Sequence, residues 1–310
     1  MVLIRPLVAC IIQPPCSSIR ELQNEPVQRS GYKLVRLPNG AFSVHSFAYQ
    51  ETFHPVIGPV EEAEALYVRQ LGLAERLRKH SAGFVIWDVG LGAAANALTV
   101  LRQTKSIPSN LHLVSFDNTS EPLSFALENV SALNYLTGFE PPLRALIEGH
   151  QAEFANGNQR VRWELRLADF PGLLQQAIAQ SFPKPHAIMF DAFSPAKNPA
   201  MWTQSLFARL FQLLDPARPC ALPTYSRSTM LRVTLLLAGF FVGVGHPTGE
   251  KEETTIAANS LDLISEPLDR AWLRRAHRST SAEPLWTPVY RQAKLAPETY
   301  EKLRLHPQFH

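Results

Sequence analysis

Cysteine is scarce in this 310-residue sequence: there are three, Cys10, Cys16 and Cys220. An odd count with two members near the start gives neither a disulfide framework nor the paired spacing of a zinc site. No resident metal is expected, and a reducing cytoplasm fits best. Long apolar runs are lacking as well. The run from Leu7 to Ile12 falls far below the roughly 20 residues of a membrane span, so no membrane partner is expected. It is also short for the apolar core of a signal peptide, no small-residue cleavage site follows it, and Gln13-Pro14-Pro15 before Cys16 argues against a lipoprotein signal. Residues 1–30 therefore read as a flexible leader. Neither charge sign dominates: 30 Lys and Arg against 27 Asp and Glu give +3, which permits a polyanionic partner without demanding one. No internal repeat or low-complexity tract is present. Hydrophobic residues make up 45% and charged residues 18%, enough to bury a core and too apolar for general disorder.

The patterning predicts an α/β chain. Tyr32–Leu37 and Phe42–Phe47 alternate about Pro38-Asn39-Gly40 and read as a β-hairpin. Val60–His80 changes to helical spacing, with acids in its first turn and bases in its last. Strands are then expected at Phe84–Val89, Leu111–Phe116, Val161–Leu167, Ala187–Phe190 and Cys220–Thr224. Helical segments alternate with them near Ala94–Arg102, Leu123–Leu133, Gly172–Gln180, Met201–Leu214 and Thr229–Ala238. A closing hairpin, Phe240–Val244 with Glu252–Ala258, completes seven strands. Such alternation gives a doubly wound, mostly parallel, Rossmann-like sheet. Residues 31–260 would form one domain and 261–310 a small helical appendage.

In such a sheet, ligands bind beyond the carboxyl ends of the strands. After the first strand comes Gly90-Leu-Gly92-Ala-Ala-Ala-Asn96, where two glycines allow a sharp turn and close approach to a cofactor. The same residues satisfy a relaxed dinucleotide fingerprint, Gly90-x-Gly92-x-x-Ala95, and a plain strand-to-helix turn would also use them. Asp117 after the second strand suits ribose hydroxyls or a helix cap. Asp169 after the third suits an adenine amine, with Phe170 against the ring, or another cap. The fourth strand runs into Asp191-Ala-Phe-Ser-Pro-Ala-Lys-Asn-Pro-Ala-Met-Trp202. Asn198 and Pro199 there fit a helix start, which leaves Asp191, Phe193 and Lys197 without a structural reason.

That loop strongly resembles the signature of the MnmC-type tRNA methyltransferase domain, in which an acid-aromatic-Ser/Ala-Pro-x-Lys-Asn-Pro-x-Met-Trp run follows the fourth strand. Glu51-Thr-Phe-His54 through Gly58 to Glu62-Ala63, the Gly90–Asn96 turn, and Arg232, Gly239-Phe240, Gly249 and Lys251-Glu252 are similar to further segments of that family. Coverage is about Tyr32 to Ala258. The resemblance implies a class I fold, S-adenosylmethionine as cofactor, and N-methylation of the aminomethyl group on the wobble uridine of tRNA. It implies that Gly90, Gly92, Asn96, Asp117 and Asp169 meet the cofactor. Asp191 would orient the acceptor amine first and take its proton second, since a carboxylate favours the unreactive ammonium. Phe193 and Trp202 would stack the base, unless Trp202, at helical spacing with Leu206, is core; Lys197 would meet phosphate near the anticodon, as Arg270, Arg274, Arg275 and Arg278 could unless they form a solvated helix face. The sequence departs from the family at Ala93-Ala94, where Thr-Gly is expected; an alanine at the third glycine position is tolerable at negative φ and costly otherwise. The length leaves no room for the family's FAD-dependent oxidase domain, so a separate oxidase would supply the aminomethyl substrate. Three other readings remain open: a nicotinamide-dependent oxidoreductase, a catalytically silent RNA-binding scaffold, and small-molecule methylation or aminopropyl transfer on the same fold.

Overall fold

The computed structural model describes residues 31–249 and 252–310. The expected leader, with Cys10 and Cys16, and Lys251 of the closing family-like stretch lie outside the described residues. The hairpin is present as β1 (Tyr32–Arg36) and β2 (Phe42–Ser46), and a two-residue strand, β3 (Glu51–Thr52), pairs with β2 to make a small antiparallel sheet.

The main sheet contains β4 (Phe84–Val89), β5 (Ser109–Asp117), β6 (Gln151–Asn156), β7 (Gln159–Leu167), β8 (Ala187–Phe190), β9 (Ala221–Thr224), β10 (Phe241–Gly245) and β11 (Thr254–Ala258). Their order is β10-β11-β9-β8-β4-β5-β7-β6. The five strands from β9 to β7 are parallel, whereas β10, β11 and β6 join through antiparallel pairings. The doubly wound sheet expected from the sequence is therefore present, with eight strands among the described residues rather than seven. The unexpected strand is β6, which turns back through Gly157-Asn158 to pair with β7.

Strict alternation along β4 divides the core. Phe84 and Ile86 enter the cluster on one face, with Leu98, Leu101, Leu113 and Trp163; Trp87 and Val89 enter the other, with Phe116, Phe190, Trp202 and Phe207. Each such fully buried aromatic or leucine contributes roughly 1.5–3 kcal/mol. The expected helix over Val60–His80 is broken into Pro59–Ala63, a π-helical turn Glu64–Arg69, and Leu73–Lys79. The bend sets the Tyr67 hydroxyl to donate to the Phe190 carbonyl at 3.2 Å, at the end of β8.

Residues 261–310 pack against the sheet. Trp272, Leu273, Leu285, Leu303 and Phe309 belong to the second core cluster. The Gln308 side chain closes the edge of β10, accepting from the Val242 N–H and donating to the Val242 carbonyl, each at 2.7 Å. An edge strand's open backbone groups are thereby satisfied.

Candidate active site

Four turns converge at the carboxyl ends of the parallel strands, and the segment 48–55 covers them. Together they enclose a cleft of about 800 Å³. Gly90, Gly92, Asn96, Asp117, Asp169, Asp191 and Phe193 all line it.

The turn after β4 is tight at its two glycines. Gly90 has φ +91°, and a Cβ there would stand 2.6 Å from the Asp191 carbonyl oxygen; Gly92 has φ +51°, and a Cβ there would stand 3.0 Å from the Phe53 ring. The third position of this turn, Ala94, is fully buried at φ +61°. That is the costly case anticipated for alanine, about 1–2 kcal/mol above the right-handed region.

Asp117 organises the turn from the end of β5. Its Oδ2 accepts the Gly92 N–H at 2.9 Å, and its Oδ1 accepts the Asn118 N–H at 2.8 Å. Burial raises its pKa, and the backbone N–H groups of Gly92, Thr119 and Asn118 oppose the rise. Asp169 caps the helix Phe170–Gln175 through the Gly172 N–H at 2.9 Å while lining the cleft, so cap and cleft positions coincide.

Asp191, just past β8, is held from two sides. Asn96 donates its amide to Asp191 Oδ2 at 2.7 Å, and His54 Nε2 lies 3.0 Å from the same oxygen. Burial alone would lower the His54 pKa; the hydrogen bond and charge of Asp191, helped by Glu62, outweigh it and hold the imidazole above its usual value. Beneath this group, Asp88 is buried and accepts the Ser115 hydroxyl at 2.7 Å. Burial, partly opposed by Ser115, pushes Asp88 to about 7.

Two expected contacts are not brought to the cleft. Trp202 is fully buried against Phe190, Phe207 and Tyr225, so it has no face to offer a base. Its indole N–H instead donates to the Phe193 carbonyl at 2.7 Å and supports the loop from below. Lys197 is exposed and stands outside the cleft lining. Conversely, sequence reasoning assigned no role to Tyr49, Glu51, His54, Glu62 or Tyr225, all of which line the cleft. Tyr49 stacks on Phe193 with centroids 3.9 Å apart, and Glu51 accepts the Ser194 N–H at 3.1 Å and its hydroxyl. These ties fasten the small N-terminal sheet to the Asp191–Trp202 loop.

The charge of the lining is one-sided. Glu51, Glu62, Asp117, Glu121, Asp169 and Asp191 face the cleft with no Lys or Arg among the described lining residues. Such a site suits a cationic ligand and disfavours a pyrophosphate.

A glycine turn after the central strand, acids after the next two, and an antiparallel β11 set between β9 and β10 together define the class I S-adenosylmethionine-dependent methyltransferase fold. The dinucleotide-binding order 3-2-1-4-5-6 has no such inserted strand. Residues 134–260 match the family model described as S-adenosyl-L-methionine-dependent methyltransferase. The tRNA 5-methylaminomethyl-2-thiouridine biosynthesis bifunctional protein MnmC of Pseudomonas putida (strain GB-1) is 33% identical over 227 residues, 69% of this chain and 33% of that protein. The protein of the same name from Burkholderia mallei (strain SAVP1) is 29% identical over 212 residues, 64% of this chain and 31% of its own length. The chain thus spans about a third of the length of the curated relatives it matches. Among solved structures, MnmC2 from Aquifex aeolicus superposes with a TM-score of 0.60 at 22% identity, covering 89% of this chain and 84% of that one. Residues 134–260 thus match the S-adenosylmethionine-dependent methyltransferase family, and the chain is similar to the MnmC proteins.

The cleft fits that cofactor: the glycine turn lines it, and its lining carries six carboxylates and no Lys or Arg among the described lining residues, which suits a sulfonium. Gly90, Gly92, Asp117 and Asp169 would hold it.

Proposed function

We propose that this chain N-methylates the aminomethyl group on carbon 5 of the wobble uridine in tRNA. The observation that carries the reading is Asp191, gripped by His54 and Asn96, at the floor of an acidic cleft beside the glycine turn. The MnmC relatives, named for tRNA 5-methylaminomethyl-2-thiouridine biosynthesis, supply the substrate class.

S-adenosylmethionine supplies a methyl group made electrophilic by its sulfonium. The chain must present an amine in its unprotonated form and in line, and orientation is the larger share of that task. A bare Asp191 would hold the amine as ammonium. The imidazole of His54 changes this: paired with Asp191, it offsets the carboxylate charge and favours loss of the amine proton. Asp191 then orients the acceptor, and the amine's proton leaves to solvent before the nitrogen attacks. Phe193, stacked on Tyr49 and supported by Trp202, forms the wall against which the uracil ring lies. An oxidase activity supplies the aminomethyl substrate, and the anticodon region in the cytoplasm is the site of action. No helix among the described residues is long and apolar enough to cross a membrane.

The test is incubation with S-adenosylmethionine and tRNA carrying 5-aminomethyl-2-thiouridine, followed by nucleoside mass spectrometry. Conversion to the methylaminomethyl nucleoside, lost in Asp191→Asn, is the expected result. Equal activity on tRNA lacking the aminomethyl group would reject the assignment.

A further inference from the structure

An acidic cleft can receive an amine but cannot hold phosphates, so a polynucleotide must be gripped outside it. The loop 284–294, Pro-Leu-Trp-Thr-Pro-Val-Tyr-Arg-Gln-Ala-Lys, has no acidic residue and ends in Arg291 and Lys294, both exposed. It also presents Trp286, Val289 and Tyr290 to solvent, at 39%, 63% and 40% exposure. Exposed aromatics grouped on one loop mark a surface that something covers.

The loop is pinned at its neck. Buried Glu283 accepts the Trp286 indole N–H at 2.7 Å, the Ala296 N–H at 2.9 Å and the Thr299 hydroxyl at 2.8 Å. The N–H groups of Ala282 and Glu283 both donate to the Ala293 carbonyl. Glu283 therefore fixes the orientation of the indole, and little ordering entropy remains to be lost on binding.

The same neck is joined to the active-site loop. Leu285 pairs with Thr203, and its carbonyl accepts the Gln204 N–H at 2.9 Å. Thr203 follows Trp202, whose indole carries Phe193 at the cleft wall.

We propose that the loop 284–294 is a stacking platform for single-stranded RNA, on which Trp286 and Tyr290 receive unpaired bases flanking the one in the cleft. Arg291 and Lys294 meet the phosphates of the same strand. This inference rests on the tRNA reading above. Interleaved aromatics and cations with no acid are the composition that binds single strands by stacking and charge.

Fluorescence anisotropy with a labelled anticodon stem-loop RNA tests it, run on the full chain with light scattering on the same samples. Two double variants are compared, Trp286→Ala with Tyr290→Ala and Arg291→Glu with Lys294→Glu. Calorimetric S-adenosylmethionine binding checks that each is folded. Each pair is expected to weaken RNA binding about tenfold or more, with cofactor affinity and oligomeric state unchanged. If the aromatic pair fails to fold, the exposed charge pair carries the test. RNA binding equal to wild type in the folded variants overturns the platform and leaves the tRNA reading standing. No RNA binding by the wild type overturns both. A change in oligomeric state with RNA affinity intact assigns the loop to self-association and overturns the platform.

Discussion

His54 Nε2 and Asp191 Oδ2 lie 3.0 Å apart, although 137 positions separate them in the chain. The contact joins the N-terminal cover of the cleft to the loop after β8, and it sets the charge that an incoming amine meets. Replacing His54 with Gln keeps a hydrogen-bonding group but removes the titratable imidazole. Methyl transfer should fall about a hundredfold or more, and cofactor binding should change little. Steady-state kinetics and calorimetry on the same preparation read both quantities.

The same pair has a stability signature. The folded His54 pKa is raised above its ordinary value of 6.5. Its contribution is therefore complete below pH 6.5 and is lost as pH rises through the folded value. Thermal midpoints of wild type and His54→Gln, taken from pH 6 upward in the range about 6–9, should converge as pH increases. A constant difference would show that the imidazole is not charged in the folded protein.

Asp88 makes a second pH prediction in a lower window. Its folded pKa, about 7 against 3.8, means that the native state holds a proton the unfolded chain has released. Stability is thus lost as pH rises between those values, by an amount on the order of 4 kcal/mol. Asp88→Asn should flatten that slope in denaturant titrations. Parallel wild-type and variant profiles would contradict the assignment.

Ala94 at φ +61° should be improved by glycine. The left-handed conformation costs alanine about 1–2 kcal/mol, and glycine returns part of that as unfolded-state entropy. Ala94→Gly is expected to gain roughly 0.5–1 kcal/mol in urea unfolding. A loss of stability would mean that the alanine methyl packs better than the strain costs.

Gly90 and Gly92 should respond differently to alanine. At Gly90 the added Cβ meets backbone, the Asp191 carbonyl, whereas at Gly92 it meets the ring of Phe53, which can swing. Gly90→Ala should destabilise the fold by several kcal/mol, about what clash and positive φ add up to. Gly92→Ala should keep most stability and lose cofactor affinity. Paired unfolding and binding measurements separate the two.

The parallel strands were legible because both of their faces are buried, giving short continuous apolar runs such as Phe84–Val89. Strand β6, Gln-Ala-Glu-Phe-Ala-Asn, is an edge with one open face, and its polar residues hid it, although Asn156-Gly157 is a hairpin turn signal. The acids after the strands could be placed from strand endings alone. Glu51 and His54 stood out only as a segment similar to the family, and neither they nor Tyr49 could be given a role, because they reach the cleft through the packing of β3 over it. Trp202 was assigned to the substrate from its loop, but helix packing at the start of 204–213 buried it.

The account stands most directly on calorimetric titration with S-adenosylmethionine, with NAD as the parallel ligand and Gly92→Asp as the control. It predicts saturable S-adenosylmethionine binding to the wild type, none to Gly92→Asp, and no binding of NAD. NAD binding, or no S-adenosylmethionine binding by folded wild type, would contradict it and leave a methyltransferase fold without the chemistry.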